Sequence, residues 1–189
     1  MSEPRVLGVV GWSGAGKTTL IVKLIPLLNR RGLRVATLKH AHHAFDVDQP
    51  GKDSYEHRKA GACEVIVSSQ RRWVHMHEVG AGPEATLSEL LIRVCPCDLI
   101  LVEGFKGAGH FKMEVFRQAN GKPPLHPEDA RITLIATDQP FPQAQIPVVD
   151  LNDVAAIADA VQTHAVPLHA TLNAIGAAGD DSTHRGSLR

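Results

Sequence analysis

The chain has 189 residues, enough for one domain with an extension, and its 43% hydrophobic content can fill a core. Twenty basic residues balance twenty acidic ones, which excludes a net field that would recruit nucleic acid or an acidic membrane surface. No apolar run reaches membrane-span length, the start lacks a secretion-signal layout, and three cysteines make no disulfide framework, so a cytoplasmic protein is expected.

RVLGVVG is a β-branched run closed by glycine and predicts a buried strand. KTTLIVKLIPLLNRR spaces its leucines and isoleucines as a helix does and stops at Gly32, with a kink expected at Pro26. LRVATLK predicts a second strand, and the polar stretch HAHHAFDVDQPGK follows it. In DSYEHRKAG, Asp53 with Glu56 three residues on has the capping-box pattern of a short helix closed by Gly61. CEVIVSS and RRWVHMHEV predict two strands, the second half exposed because its apolar and polar residues alternate.

PEATLSELLIRV predicts a helix and DLILVEG a buried strand ending in an acid. FKMEVFRQ predicts an exposed strand, and RITLIATD and IPVVDL two more buried ones. NDVAAIADAVQTHA predicts a helix capped by Asn152. From about Val166 the residues turn small and polar without periodicity, which predicts a folded domain over 1–165 and a flexible tail over 166–189. Mostly apolar strands alternating with helices predict the α/β class: a mostly parallel twisted sheet with helices on both faces, plus an exposed β segment.

GWSGAGKT, from Gly11 to Thr18, fits the pattern G-x-x-x-x-G-K-[ST] between a buried strand and an amphipathic helix. Glycines let the backbone fold so tightly that successive N–H groups from Ser13 to Thr18 point inward at phosphate oxygens, and the helix start adds positive potential. The nucleotide-binding set is therefore Gly11, Trp12, Ser13, Gly14, Ala15, Gly16, Lys17, Thr18 and Thr19, which makes 1–165 a P-loop NTPase domain. Lys17 is the lysine for the β and γ phosphates, and the Thr18 hydroxyl is placed for Mg²⁺. A P-loop also needs an acid at the end of a neighbouring strand, and LILVEG supplies Glu103, the second residue assigned to catalysis. The glycine-rich EGFKGAG after it is a segment able to close over phosphates.

LIATDQP puts Asp138 after a buried strand, where its carboxylate suits the N1–H and amino group of guanine and equally suits the opening of a turn before Pro140. The histidine-rich stretch leaves the sheet edge at which ligands of open α/β folds collect. There Asp48, or Asp46, is a candidate for Mg²⁺, while His40, His42, His43 and Lys52 suit a second anion. A zinc cage and a solvated polar loop are the other readings of the same residues. Cys95 and Cys97 suit small buried hydrophobes, and His75 and His77 share one strand face with Trp73 as a surface contact.

GWSGAGKTTL, KHAHHAFDVDQPGKDSYEHRKAGA, SSQRRW and LILVEGFK, in that order, resemble the molybdopterin-guanine dinucleotide biosynthesis protein B family from about Val6 to His164. The resemblance implies a homodimeric Mg²⁺·GTP-binding protein with slow hydrolysis, an adaptor beside the MobA-type molybdopterin guanylyltransferase that also meets molybdopterin. The VEG acid is similar to the metal-holding glutamate of dethiobiotin synthetase. No glutamine is evidently positioned for an attacking water, and no arginine finger, worth about 10³–10⁵ in rate, is evident within the chain. Gln70 and Arg72 are candidates across a dimer interface. A small-molecule kinase and a nucleotide-dependent metallochaperone are the alternatives. A kinase lid would have only Lys106 and Lys112 to offer.

Overall fold

The chain divides into two compact units, one joining residues 1–40 to 86–189 and one formed by residues 41–85. This computed structural model describes residues 3–41, 45–141 and 144–179, so His42 and His43 lie outside the described residues. In chain order the elements are β1 (Arg5–Val10), α1 (Lys17–Arg30), β2 (Val35–Lys39), α2 (Asp53–Lys59), β3 (Glu64–Ser68), β4 (Trp73–His77) and α3 (Leu87–Leu91). After these come β5 (Leu99–Glu103), β6 (Lys112–Phe116), β7 (Ile132–Thr137), β8 (Val148–Asp150), α4 (Val154–His164), β9 (Val166–Pro167) and α5 (Leu168–Ala177).

The larger unit is a sheet in the order β2-β5-β1-β6-β7-β8, with every neighbouring pair in this order parallel. Its strands are apolar on both faces because helices cover both. Leu7 and Val9 of β1 join Leu99 and Leu101 of β5 under α1 and α4, whose Leu24, Leu28, Ile157 and Val161 are fully buried. Val6, Ile100 and Val102 point the other way, onto Leu87 and Leu91 of α3 and Ile175 of α5. Each such aliphatic side chain withdrawn from water contributes about 1.5–3 kcal/mol, and the two clusters hold the sheet between them.

Five sequence expectations change. The chain after His164 is not a free tail: β9 pairs antiparallel with Arg5 and Val6 of β1, and α5 buries Thr171 and Ile175. Arg5 donates to the Ala165 carbonyl at 2.7 Å, and the His169 N–H donates to the Glu3 carboxylate at 2.6 Å. Alanine-rich, weakly periodic sequence concealed a helix that is stabilised by docking rather than by its own pattern. Residues 180–189 lie outside the described residues.

β6, expected to be exposed, is interior, lying between β1 and β7. Met113 and Val115 face α1 and α4, while the alternate residues Lys112 and Glu114 are buried charges. Lys112 Nζ binds Asp129 at 2.8 Å, and Glu114 accepts from the Leu125 and His126 N–H groups at 2.7 and 2.8 Å. Burial lowers the Lys112 pKa against the pull of Asp129. Alternation of charge with apolar residues usually marks a half-exposed strand, and here the polar half is buried with partners.

β8, expected to be buried, is the edge strand with Val148 well exposed. α4 is capped one residue later than expected: Asp153, not Asn152, accepts the Ala156 N–H at 2.9 Å. α2 begins at Asp53 itself with no side-chain cap, although Gly61 closes it as expected with φ +101°.

In the smaller unit β3 and β4 form an antiparallel hairpin with Val65 opposite Met76, and Val65 is its buried apolar residue. The docking of α5 sets an expected outcome. Ile175→Ala should lower unfolding free energy in urea by about 2–5 kcal/mol, as for a buried core residue. A change near zero would restore the flexible-tail reading.

Candidate functional site

β1 runs directly into the glycine-rich loop at 11–18, the segment expected to cradle phosphate. At Gly11, with φ +146°, a β-carbon would stand 2.4 Å from the Val115 carbonyl oxygen of β6, so only glycine permits the turn. Gly16, with φ +93°, is the N-cap of α1, which begins at Lys17. The first-turn N–H groups of α1 therefore have no partners within the helix and face the loop's concave side. Lys17 Nζ donates to the Gly11 and Trp12 carbonyls at 3.1 and 3.0 Å, inside the loop it would serve. Burial lowers its pKa; Glu103 opposes this and Lys39 adds to it.

Parallel pairing brings the acid to the loop. Glu103 ends β5 in register with Val9 of β1 and with Lys39 of β2. The Thr18 hydroxyl donates to Glu103 Oε1 at 2.6 Å, and Lys39 Nζ lies 3.7 Å from the same oxygen. A hydroxyl and a carboxylate, both hard oxygen donors, suit Mg²⁺. Glu103, distant in sequence from the adjacent Lys17 and Thr18, thus joins them in one constellation.

Asp138 lies on the same edge of the sheet, at the end of β7, but it does not open the turn. The Thr137 hydroxyl takes the Gln139 N–H at 3.2 Å, while Asp138 Oδ2 receives Arg117 NH1 at 2.8 Å. Asp138 Oδ1 is buried with no hydrogen-bond partner. Thr137, Asp138, Val149 and Asp150 line a shallow cavity of about 330 Å³ there.

Sequence reasoning missed the segment after β6. Arg117 Nε donates to the Ala15 carbonyl at 3.1 Å, Asn120 Nδ2 to the Ser13 carbonyl at 3.3 Å, and Trp12 Nε1 to the Pro123 carbonyl at 2.7 Å. Residues 117–123 thus strap the phosphate loop, and Glu114 anchors the strap by holding Leu125 and His126. With β6 read as exposed, no signal placed Arg117 near the loop. Sequence reasoning also missed the turn after Glu103. Phe105 has φ +50°, a left-handed conformation that costs a non-glycine residue about 1–3 kcal/mol. Its ring packs on His40 with centroids 4.8 Å apart, and the following Lys106 stands 4.6 Å above the Trp12 ring.

In the smaller unit the acids of the histidine-rich stretch serve an arginine. Arg58 binds Asp46 at 2.8 Å, Asp48 at 3.2 Å and Glu78 at 3.0 Å. Asp48 Oδ1 also accepts from Ser54 Oγ and the Gln49 N–H. Asp46, then Glu78, raise the Arg58 pKa, and the Asp48 N–H, then Arg58, lower that of Asp46. Asp48 as placed is therefore occupied by Arg58 and Ser54. Lys52 stands at the N-cap position of α2 and does not cap it with its side chain. Among the described residues no three His, Cys, Asp or Glu side chains form a metal-holding group. His75 and His77 both reach Glu64, at 3.3 and 2.8 Å. Cys97 is buried as expected, whereas Cys95 is exposed.

The profile of the family described as molybdopterin guanine dinucleotide synthesis protein B matches residues 6–138. The chain is 46% identical over 159 residues to the molybdopterin-guanine dinucleotide biosynthesis adapter protein of Escherichia coli (strain K12), covering 82% of this chain and 90% of that protein. It is 38% identical over 160 residues to the adapter protein of the same description from Haemophilus influenzae, covering 83% and 87%. A crystal structure of molybdopterin-guanine biosynthesis protein B superposes with a TM-score of 0.66 at 28% identity, covering 84% of this chain and 97% of that one.

The three-acid grip on Arg58 has a measurable consequence. Arg58→Ala leaves Asp46, Asp48 and Glu78 without their shared cation, so proteolysis and amide exchange within residues 41–85 should accelerate. Exchange in β1, β5 and β7 should stay at the parent rate. Unchanged exchange throughout would show that the acids do not depend on Arg58.

Proposed function

The chain belongs to the molybdopterin guanine dinucleotide synthesis protein B family, and on that premise we propose that it is a slow Mg²⁺-dependent GTPase serving as an adaptor in molybdenum cofactor biosynthesis. Its partner in this reading is the MobA-type molybdopterin guanylyltransferase, with molybdopterin as a further ligand, and it works in the cytoplasm as a homodimer. Among the described residues no helix is long and apolar enough to cross a membrane.

The observation that carries the nucleotide reading is the 2.6 Å contact between Thr18 and Glu103 beside a P-loop that already holds Lys17. Loop N–H groups take the phosphate oxygens, and Lys17 exchanges its two carbonyl partners for the β and γ phosphates. Thr18 and Glu103 would hold Mg²⁺, which would supply positive charge to offset that of the phosphates. Asp138 is proposed as the base-reading carboxylate, because Arg117 fixes its orientation while Oδ1 is left without a protein partner. Asp48 joins the metal only by giving up Arg58 and Ser54, so its part in the metal site is secondary to that of Thr18 and Glu103. Slow turnover follows because the nearby guanidinium, that of Arg117, is engaged by Ala15 and Asp138. A kinase reading is weakened by Lys112, one of its two candidate lid lysines, which is buried on Asp129.

Lys17→Ala should abolish GTP binding, measured by calorimetry, while the unfolding transition stays that of the parent. Parent-like affinity would remove the cradle assignment. Thr18→Ala and Glu103→Gln should each lower Mg²⁺-dependent hydrolysis far more than metal-free nucleotide binding. Equal losses with and without Mg²⁺ would exclude both from the metal.

A further inference from the structure

Trp12, the residue after the first glycine of the phosphate loop, is fixed by its indole N–H on the Pro123 carbonyl. Lys106 Nζ stands 4.6 Å from its ring centroid, and Lys122 Nζ stands 5.6 Å from it. Lys106 gets there through Gly104 and Phe105, two consecutive left-handed residues that turn the chain sharply after Glu103. Phe105 is the one non-glycine residue with positive φ among the described residues. Its ring is wedged on His40 and on the cluster beneath α3 and α5. The strained turn therefore carries the third residue after the metal acid onto the phosphate loop. Strain of this kind is kept where the geometry it imposes is used.

Four other cations near the loop are committed, and Lys122 stands farther from the Trp12 ring than Lys106 does. Lys17 serves the loop carbonyls, Lys39 faces Glu103, Arg117 is tied to Ala15 and Asp138, and Lys112 is buried on Asp129. Among the described residues Lys106 makes no ion pair and holds only an aromatic face. Burial lowers its pKa first, the neighbouring Lys17 ammonium second, and Glu114 opposes weakly. An ammonium group that lies near a second one gains when a polyanion comes between them. A phosphoryl group makes a stronger partner for either than a tryptophan ring does.

We propose that Lys106 is a second phosphate lysine, which leaves the Trp12 ring to bind the terminal phosphoryl oxygens of a nucleoside triphosphate and so distinguishes triphosphate from diphosphate. This deepens the nucleotide reading above and rests on it. Trp12 is the resting partner that keeps the ammonium beside the loop, and its indole reports the departure. Glu103 and Lys106, on either side of the Gly104–Phe105 turn, then address the metal and the terminal phosphate from one segment.

The experiment uses the full chain with Trp73→Phe, an exposed residue of the separate unit, which leaves Trp12 as the single tryptophan. Trp12 emission is followed while Mg²⁺·GTP, a non-hydrolysable triphosphate analogue or Mg²⁺·GDP is added. Both triphosphates should shift the emission and the diphosphate should not. Lys106→Met, which keeps the stem and removes the charge, should weaken triphosphate binding roughly 10- to 100-fold, the scale of one charge-assisted hydrogen bond. Diphosphate affinity should stay within about twofold, as for a substitution outside its contacts. Lys106→Arg should recover part of the loss. A parent-like ratio of triphosphate to diphosphate affinity in Lys106→Met overturns the proposal and leaves the nucleotide reading standing. Equal weakening of both nucleotides, or an emission change that GDP reproduces, overturns it as well. A parent protein that binds neither nucleotide overturns both.

Discussion

The parallel register of β5 against β1 is the constraint on which the site depends. Opposing Val9 with Glu103 places a carboxylate at the level where β1 turns into the phosphate loop, within 2.6 Å of Thr18. That register has little freedom to slip. Leu99 and Leu101 face one helical layer and Ile100 and Val102 the other, so a one-residue shift would exchange every side chain between two differently shaped clusters. Packing that belongs wholly to the core thereby sets a distance that belongs to chemistry. The same strand carries β2 on its far edge, which adds Lys39 to the acid and gives Glu103 a second positive neighbour.

A second constraint works from the other side of β1. Strand β6 carries its charges inward, and each is satisfied: Lys112 by Asp129, Glu114 by two backbone N–H groups. Buried charge seldom adds stability over an apolar core, but removing one partner is costly, so such pairs specify where a segment must lie. Here Glu114 determines where residues 117–126 dock. That segment delivers Arg117, Asn120 and the Pro123 carbonyl to Ala15, Ser13 and Trp12 of the phosphate loop. The loop is therefore supported by side chains as well as by its own glycines. Arg117 also links it to Asp138 at the end of the next strand.

The insertion at 41–85 follows a different economy. It has a hairpin, one short helix, and Val65 as its buried apolar residue, with the acids Asp46, Asp48 and Glu78 gathered on Arg58. In this unit Asp46 and Asp48 are already held by Arg58, so they are structural before they are available to any ligand.

Sequence alone determined the elements whose signal is local. The glycine-rich loop at 11–18 is legible because tight glycine turns, Lys17 and Thr18 occur within eight consecutive residues. The apolar runs of β1, β5 and β7 are legible because strands buried on both faces admit little else. The strand-end position of Glu103 follows from the same run. Tertiary structure alone decided whatever depended on a distant partner. Lys112 and Glu114 read as solvent-facing until Asp129 and the Leu125–His126 backbone are brought over them. α5 reads as tail until Glu3, Arg5 and the sheet receive it. Asp48 shows no sign in the sequence of the Arg58 that folds back upon it, and Lys106 reads as a lid lysine until the left-handed Phe105 turn sets it over Trp12. A charge carries no record in its own neighbourhood of which opposite charge, amide or ring will satisfy it, because that pairing is made by chain segments that meet only once the sheet has formed.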